Sequence, residues 1–133
     1  MNTPGEQLRP YRNALLDLHK ALIEVERVRY EQSVGPIPSP ARFLQLLTGD
    51  PWFAWLLPLS QLIVMMDEAL NGKDPLTKET VDPLIDQMRL LLAPSGNGDE
   101  YARHYFDALQ RDPGVILAHA AATALAGPRK RLD

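Results

Sequence analysis

Residues 8–30, LRPYRNALLDLHKALIEVERVRY, decide the fold class. Set at 100° per residue, Leu8, Leu15 and Leu22 recur every seven positions, as do Tyr11, Leu18 and Val25. That spacing is the apolar seam of a helix packed in a bundle. Leu16, Ile23 and Tyr30 form a second apolar row, about 100° from the first. Between the two rows stand Arg12, His19 and Glu26, while Asp17, Lys20, Glu24 and Arg27 occupy the opposite, solvent-facing side. The pattern predicts one helix over about residues 5–33, ended by the breaker Gly35-Pro36-Ile37-Pro38.

Beyond that helix, proline supplies the punctuation. Ser39-Pro40, Asp50-Pro51, Asp74-Pro75, Asp82-Pro83 and Asp112-Pro113 each join a capping side chain to a residue whose fixed φ suits the first helical position. These pairs predict a second helix over about 40–48 and a third over about 51–71. The third closes at Asn71-Gly72, a left-handed C-terminal signal, and bends at Pro58, which lacks a backbone donor. A fourth helix starts at about 77 or 83 and ends near 92; if Thr77 caps it, Leu76 and Val81 form a hydrophobic staple. The loop Pro94-Ser95-Gly96-Asn97-Gly98 leads to a fifth helix at about 99–111 and a sixth at about 113–126. No apolar/polar alternation persists over five positions, and no Asn-Gly or Asp-Gly turn joins two β-branched runs. The expected architecture is an all-α, single-domain helical bundle of about five or six helices, with the third helix central and Pro-kinked. It spans residues 1–126, and a basic flexible tail containing Arg129, Lys130 and Arg131 covers 127–133.

Composition narrows the functional classes. A chain of 133 residues with 45% hydrophobic and 23% charged residues fits one domain with its own core and is unlike a disordered chain. The net charge is −3 and the cations are scattered, so the basic stripe expected of a nucleic-acid binder is missing. Having no cysteine, the chain has no disulfide, thiolate nucleophile or Cys-ligated metal. The apolar run from Trp52 to Met66 is interrupted by Pro58, Ser60 and Gln61 and falls short of the roughly 20 residues of a membrane span. The N-terminal MNTPGEQLRPYR is polar where a secretory signal is apolar, so the cytoplasm is the expected location.

The polar row between two apolar rows is the unusual feature. On one reading Arg12, His19 and Glu26 satisfy one another and nearby backbone; on the other they line a pocket, because buried charges are costly unless paired or used. Ser60 and Asp67, also seven apart, echo the row on the third helix and are expected to meet it. Arg29 lies near Glu26 and either pairs with it or holds an anionic ligand. His19 and Glu26 are roughly 10 Å apart along the axis, too far to chelate one ion, so no metal site is expected. Trp52, Trp55, Met65 and Met66 lie on a third helix that is apolar nearly all round, which makes it either central to the fold or an interface with another subunit. His104 reads as a surface residue and His119 as a packed one.

The stretch GPIPSPARFLQLLTGDPWFAWLLPLSQLIVMMDEAL, residues 35–70, resembles segments of small uncharacterised all-helical bacterial proteins. The resemblance covers about a quarter of the chain and implies no activity, cofactor or site residue.

No di-iron Glu-x-x-His pair, nucleophile elbow, phosphate-cradling glycine loop, zinc-protease motif or EF-hand loop occurs in the chain. The expected function is therefore that of a non-enzymatic module acting through protein contacts, as a homo-oligomer or with a protein partner, without a cofactor. The alternative is a bundle that binds a small ligand or a metal, with enzymatic action as a subset. Its pocket would lie between the first and third helices and be lined by Arg12, His19, Glu26, Arg29, Ser60 and Asp67.

Overall fold

The structure, a computed structural model, describes residues 3–127; the expected basic tail from Pro128 onward lies outside the described residues. Helix α1, Pro4–Ser33, begins with a reciprocal cap. Glu6 N–H donates to Thr3 Oγ1 at 3.1 Å, and Thr3 N–H donates to Glu6 Oε2 at 3.0 Å. Helix α2, Pro40–Gly49, is capped by Ser39. A 3-10 segment, Pro51–Leu56, is capped by Asp50, whose Oδ1 accepts from Trp52 N–H at 2.8 Å. Helices α3, Leu57–Asn71, α4, Lys78–Leu91, α5, Glu100–Arg111, and α6, Pro113–Ala126, complete the chain. Among the described residues there is no strand.

Pro58 breaks the third helix through a change of helix type. The 3-10 segment ends with Leu57 N–H donating to the Ala54 carbonyl, and Pro58 sits in the first turn of α3, where a missing N–H costs no helical bond. Two other expected signals resolve differently. Asp74-Pro75 starts no helix, and Asp82-Pro83 falls inside α4, which begins after Thr77. The earlier start brings Val81 into the core at 2% exposure, a gain that a start at Pro83 forfeits. Gly72 is extended (φ −69°, ψ 160°) instead of left-handed; a Cβ there would lie 3.2 Å from the Glu68 carbonyl, a tight approach that a side chain could take up only with a small shift.

The seam of α1 is the centre of the core: Leu8, Leu15, Leu18 and Leu22 are fully buried. α1 packs against α3 and α6, and α4 packs against the same two helices, so the four close a ring. α2 lies on the 3-10 segment, and α5 bridges that segment and α6. α3 turns Leu59, Leu62, Ile63 and Met66 inward and leaves Leu57, Val64 and Met65 about half exposed. Pro51–Asn71 is long and apolar enough to cross a membrane by length and composition; here it is split into two helix types, with Phe53, Trp55 and Leu56 also in the core.

Candidate functional site

α1 and α3 run antiparallel, so rows spaced by seven on each helix meet rung by rung. Arg12 Nε lies 3.0 Å from Asp67 Oδ1, an ion pair whose buried N–H is poorly aligned with the carboxylate. One heptad along, His19 Nε2 lies 3.0 Å from Ser60 Oγ. The expected meeting of the two rows therefore occurs. The third rung has no polar partner across the interface, because the position seven before Ser60 is Phe53. Glu26, 4% exposed, pairs along its own helix instead: Arg29 Nη1 lies 3.4 Å from Glu26 Oε1 and 3.3 Å from Asp107 Oδ2 on α5.

The six residues expected to share one pocket thus divide into three separate pairs, and only His19 and Ser60 line a cavity. That cavity, about 540 Å³, opens between α1, α2, the 3-10 segment and the start of α3. Its walls are apolar, formed by Ile23, Leu44, Leu47, Phe53, Leu56 and Leu57. Thr48 and Asp50 stand on the α2 side and the His19–Ser60 pair on the α1–α3 side; among the described residues no lysine or arginine lines it. Arg12, Asp67, Glu26 and Arg29 lie outside, held by their ion pairs.

Burial pushes the His19 pKa below the ordinary histidine value, because its partner is a hydroxyl and offers no negative charge to favour the cation. The ring is accordingly neutral near pH 7. Ser60 also bonds back to its own helix, with the hydroxyl donating to the Leu56 carbonyl at 3.2 Å.

The four aromatic and methionine residues offered as an interface do not share one surface. Trp55 (5% exposed) and Met66 (0%) are core, because the 3-10 segment turns Trp55 under α5 and α3 turns Met66 toward α1 and α4. Trp52 is half-buried, edge-on to Tyr30 at 5.7 Å, and Met65 alone of the four is exposed.

A second polar pair escaped the sequence reading. Tyr105 Oη hydrogen-bonds His119 Nδ1 between α5 and α6, at one end of an aromatic column through Tyr101 and Trp55 to His104. The i, i+4 spacing of Tyr101 and Tyr105 was its only trace. Burial lowers the His119 pKa and raises those of both tyrosines. Among the described residues no group of three or more His, Asp or Glu side chains is placed to hold a metal ion.

Compared with known protein families, curated proteins and solved structures, the chain matches none.

Proposed function

We propose that this bundle binds a small, largely apolar molecule in the cleft between α1, α2, the 3-10 segment and α3. The observation that carries this reading is the cleft's make-up: about 540 Å³ of space with aliphatic and aromatic walls and a neutral His19–Ser60 pair facing into it. Small-molecule sites commonly enclose roughly 300–1,000 Å³, are mostly apolar, and carry a few polar groups that fix orientation. The test is a thermal-shift screen with small alkylbenzenes and alkylphenols, followed by methyl-resolved NMR. A ligand at 100 times its Kd adds about 2.7 kcal/mol of stability. Binding is expected to move the methyl signals of Ile23, Leu44, Leu47 and Leu57, and Ala54→Phe, which places a ring at the cleft wall, is expected to abolish it. Probes that leave those methyls unmoved would overturn the reading.

A second reading, self-association, is favoured by α6. Between Pro113 and Ala126 it carries no Asp, Glu, Lys or Arg. Ile116, Leu117 and Leu125 are exposed on its outer side, Leu117 at 73%. A second copy of this chain is the natural cover for that face, since two such helices meet without opposing like charges. Mass by light scattering tests it.

A further inference from the structure

Resting on the ligand-binding reading above, we infer that the cleft selects an uncharged molecule whose polar end donates a hydrogen bond, such as a phenol or an alcohol, to Nδ1 of His19.

The available protons fix the state of the His19–Ser60 pair. Ser60 Oγ lies 3.2 Å from the Leu56 carbonyl and 3.0 Å from His19 Nε2. A carbonyl only accepts, so the contact with Leu56 uses the single Ser60 hydroxyl proton. The bond to His19 then requires Nε2 to carry a proton and donate it to Ser60 Oγ. In the opposite arrangement Ser60 donates to His19, and its contact with Leu56 has no proton between two oxygens. The first arrangement makes two hydrogen bonds and the second makes one, which selects the first. A neutral ring protonated at Nε2 presents a bare lone pair at Nδ1.

That lone pair is available. Among the described residues His19 makes its side-chain hydrogen bond through Nε2. The buried side-chain atoms left without a partner are Arg12 Nε, Trp52 Nε1, Trp55 Nε1 and Tyr101 Oη, so Nδ1 is reached by solvent on a ring that lines the cleft. The charges present act against an anionic head: among the described residues no cation lines the cavity, Asp50 does, and burial keeps His19 neutral. The apolar walls penalise a charged head of either sign through desolvation, so an uncharged hydrogen-bond donor is what complements the open Nδ1 lone pair.

Three probes of nearly one shape test the inference: 4-butylphenol, which donates, 4-butylanisole, which only accepts, and 4-butylbenzoate, which is anionic. Each is titrated into nitrogen-15-labelled protein at pH 7.5, with cleft methyl signals and the His19 ring nitrogens followed together. The phenol is expected to bind roughly fivefold tighter than the anisole, the net effect of one hydrogen bond, with the benzoate weakest. The free protein is expected to show His19 protonated at Nε2, and the phenol to shift Nδ1. Ser60→Ala, which removes the group that selects the tautomer, is expected to narrow the gap between phenol and anisole while the methyl shifts persist. Equal affinity for phenol and anisole, preference for the benzoate, or a free His19 protonated at Nδ1 overturns the donor inference and leaves a ligand-binding cleft standing. Failure of all three probes to move the cleft methyls overturns the ligand reading itself, and this inference with it.

Discussion

Among the described residues Glu26 is the one charged side chain that is buried, at 4% exposure, and its ion pair there, at 3.4 Å to a guanidinium that is 36% exposed, is a loose one. A buried carboxylate held that weakly recovers little of its desolvation cost. Glu26→Met is therefore expected to leave stability within about 1 kcal/mol of the parent in urea denaturation, since an apolar side chain of similar size carries no charge to desolvate. Glu26→Ala is expected to cost about 1–2 kcal/mol, largely through the space vacated. Arg29 keeps Asp107 in either variant. A loss well above 3 kcal/mol on Glu26→Met would show that the ion pair itself holds α1 in place. The two half-buried histidines give a pH dependence with a definite sign. Both have folded-state pKa values below the ordinary 6.5, so the unfolded chain binds the extra protons. Stability is expected to be complete above about pH 6.5 and to fall as the pH drops below it. His19→Gln and His119→Gln are each expected to flatten the decline measured by thermal melts between pH 7.5 and 5, and a slope unchanged in both would contradict it.

Among the elements, caps decided where helices begin more reliably than prolines did. Ser39, Asp50 and Asp112 each accept a bond from a backbone N–H two or three residues on, and each is followed by a proline at the start of a helical segment. Asp74-Pro75 has the same two letters and caps nothing. Burial of the succeeding residues makes the difference for Asp50 and Asp112, where the chain reaches the core at Phe53 and Val115, two residues past the proline; after Pro40, as after Pro75, the first buried side chain comes six residues on, at Leu46 and Val81. Asp112→Ala is expected to cost about 1 kcal/mol through loss of the bond from Val115 N–H. Asp74→Ala is expected to change stability by less than about 0.5 kcal/mol. Equal effects in chemical denaturation would mean that Asp112 does not act as a cap. At the far end of α6, Arg89 Nε donates to the Ala126 carbonyl at 2.5 Å, bringing a cation from α4 to a helix C-terminus.

For the molecule as a whole, the arrangement of uncharged surface leads to a test of assembly. The outer side of α6 is apolar without interruption, while the exposed residues of α3 are separated by Gln61 and Glu68. Self-association is thus expected to run through α6, not through the tryptophans and methionines of the 3-10 segment and α3. Light scattering at high micromolar concentration is expected to give a mass above 14.9 kDa, and Leu117→Glu to restore the monomer by placing a charge in the apolar contact. A monomeric parent would leave that face without a partner of its own kind. A dimer indifferent to Leu117→Glu would place the interface elsewhere.

The helices and the shared row were legible because both follow from local periodicity. Leu8, Leu15 and Leu22 recur every seven residues and are all fully buried, and Arg12 with His19 had the same spacing as Ser60 with Asp67. Two antiparallel helices that keep one register must bring such rows together. Periodicity fixes the face of a residue on its own helix but not the neighbour that covers it. Whether Glu26 found a partner across the helix pair depended on Phe53 occupying the opposing position. Whether Trp55 was core or surface depended on α5 lying over the 3-10 segment. The cleft was the least legible feature, since it is lined by four segments spread between His19 and Ser60. The helical class, most helix ends and the face each polar row occupies on its own helix follow from the order of residues alone, because these are short-range consequences of backbone geometry and spacing. Which of those polar residues meet, and which face a cavity, was settled by packing, because a cavity is the space that distant segments leave unfilled when they pack.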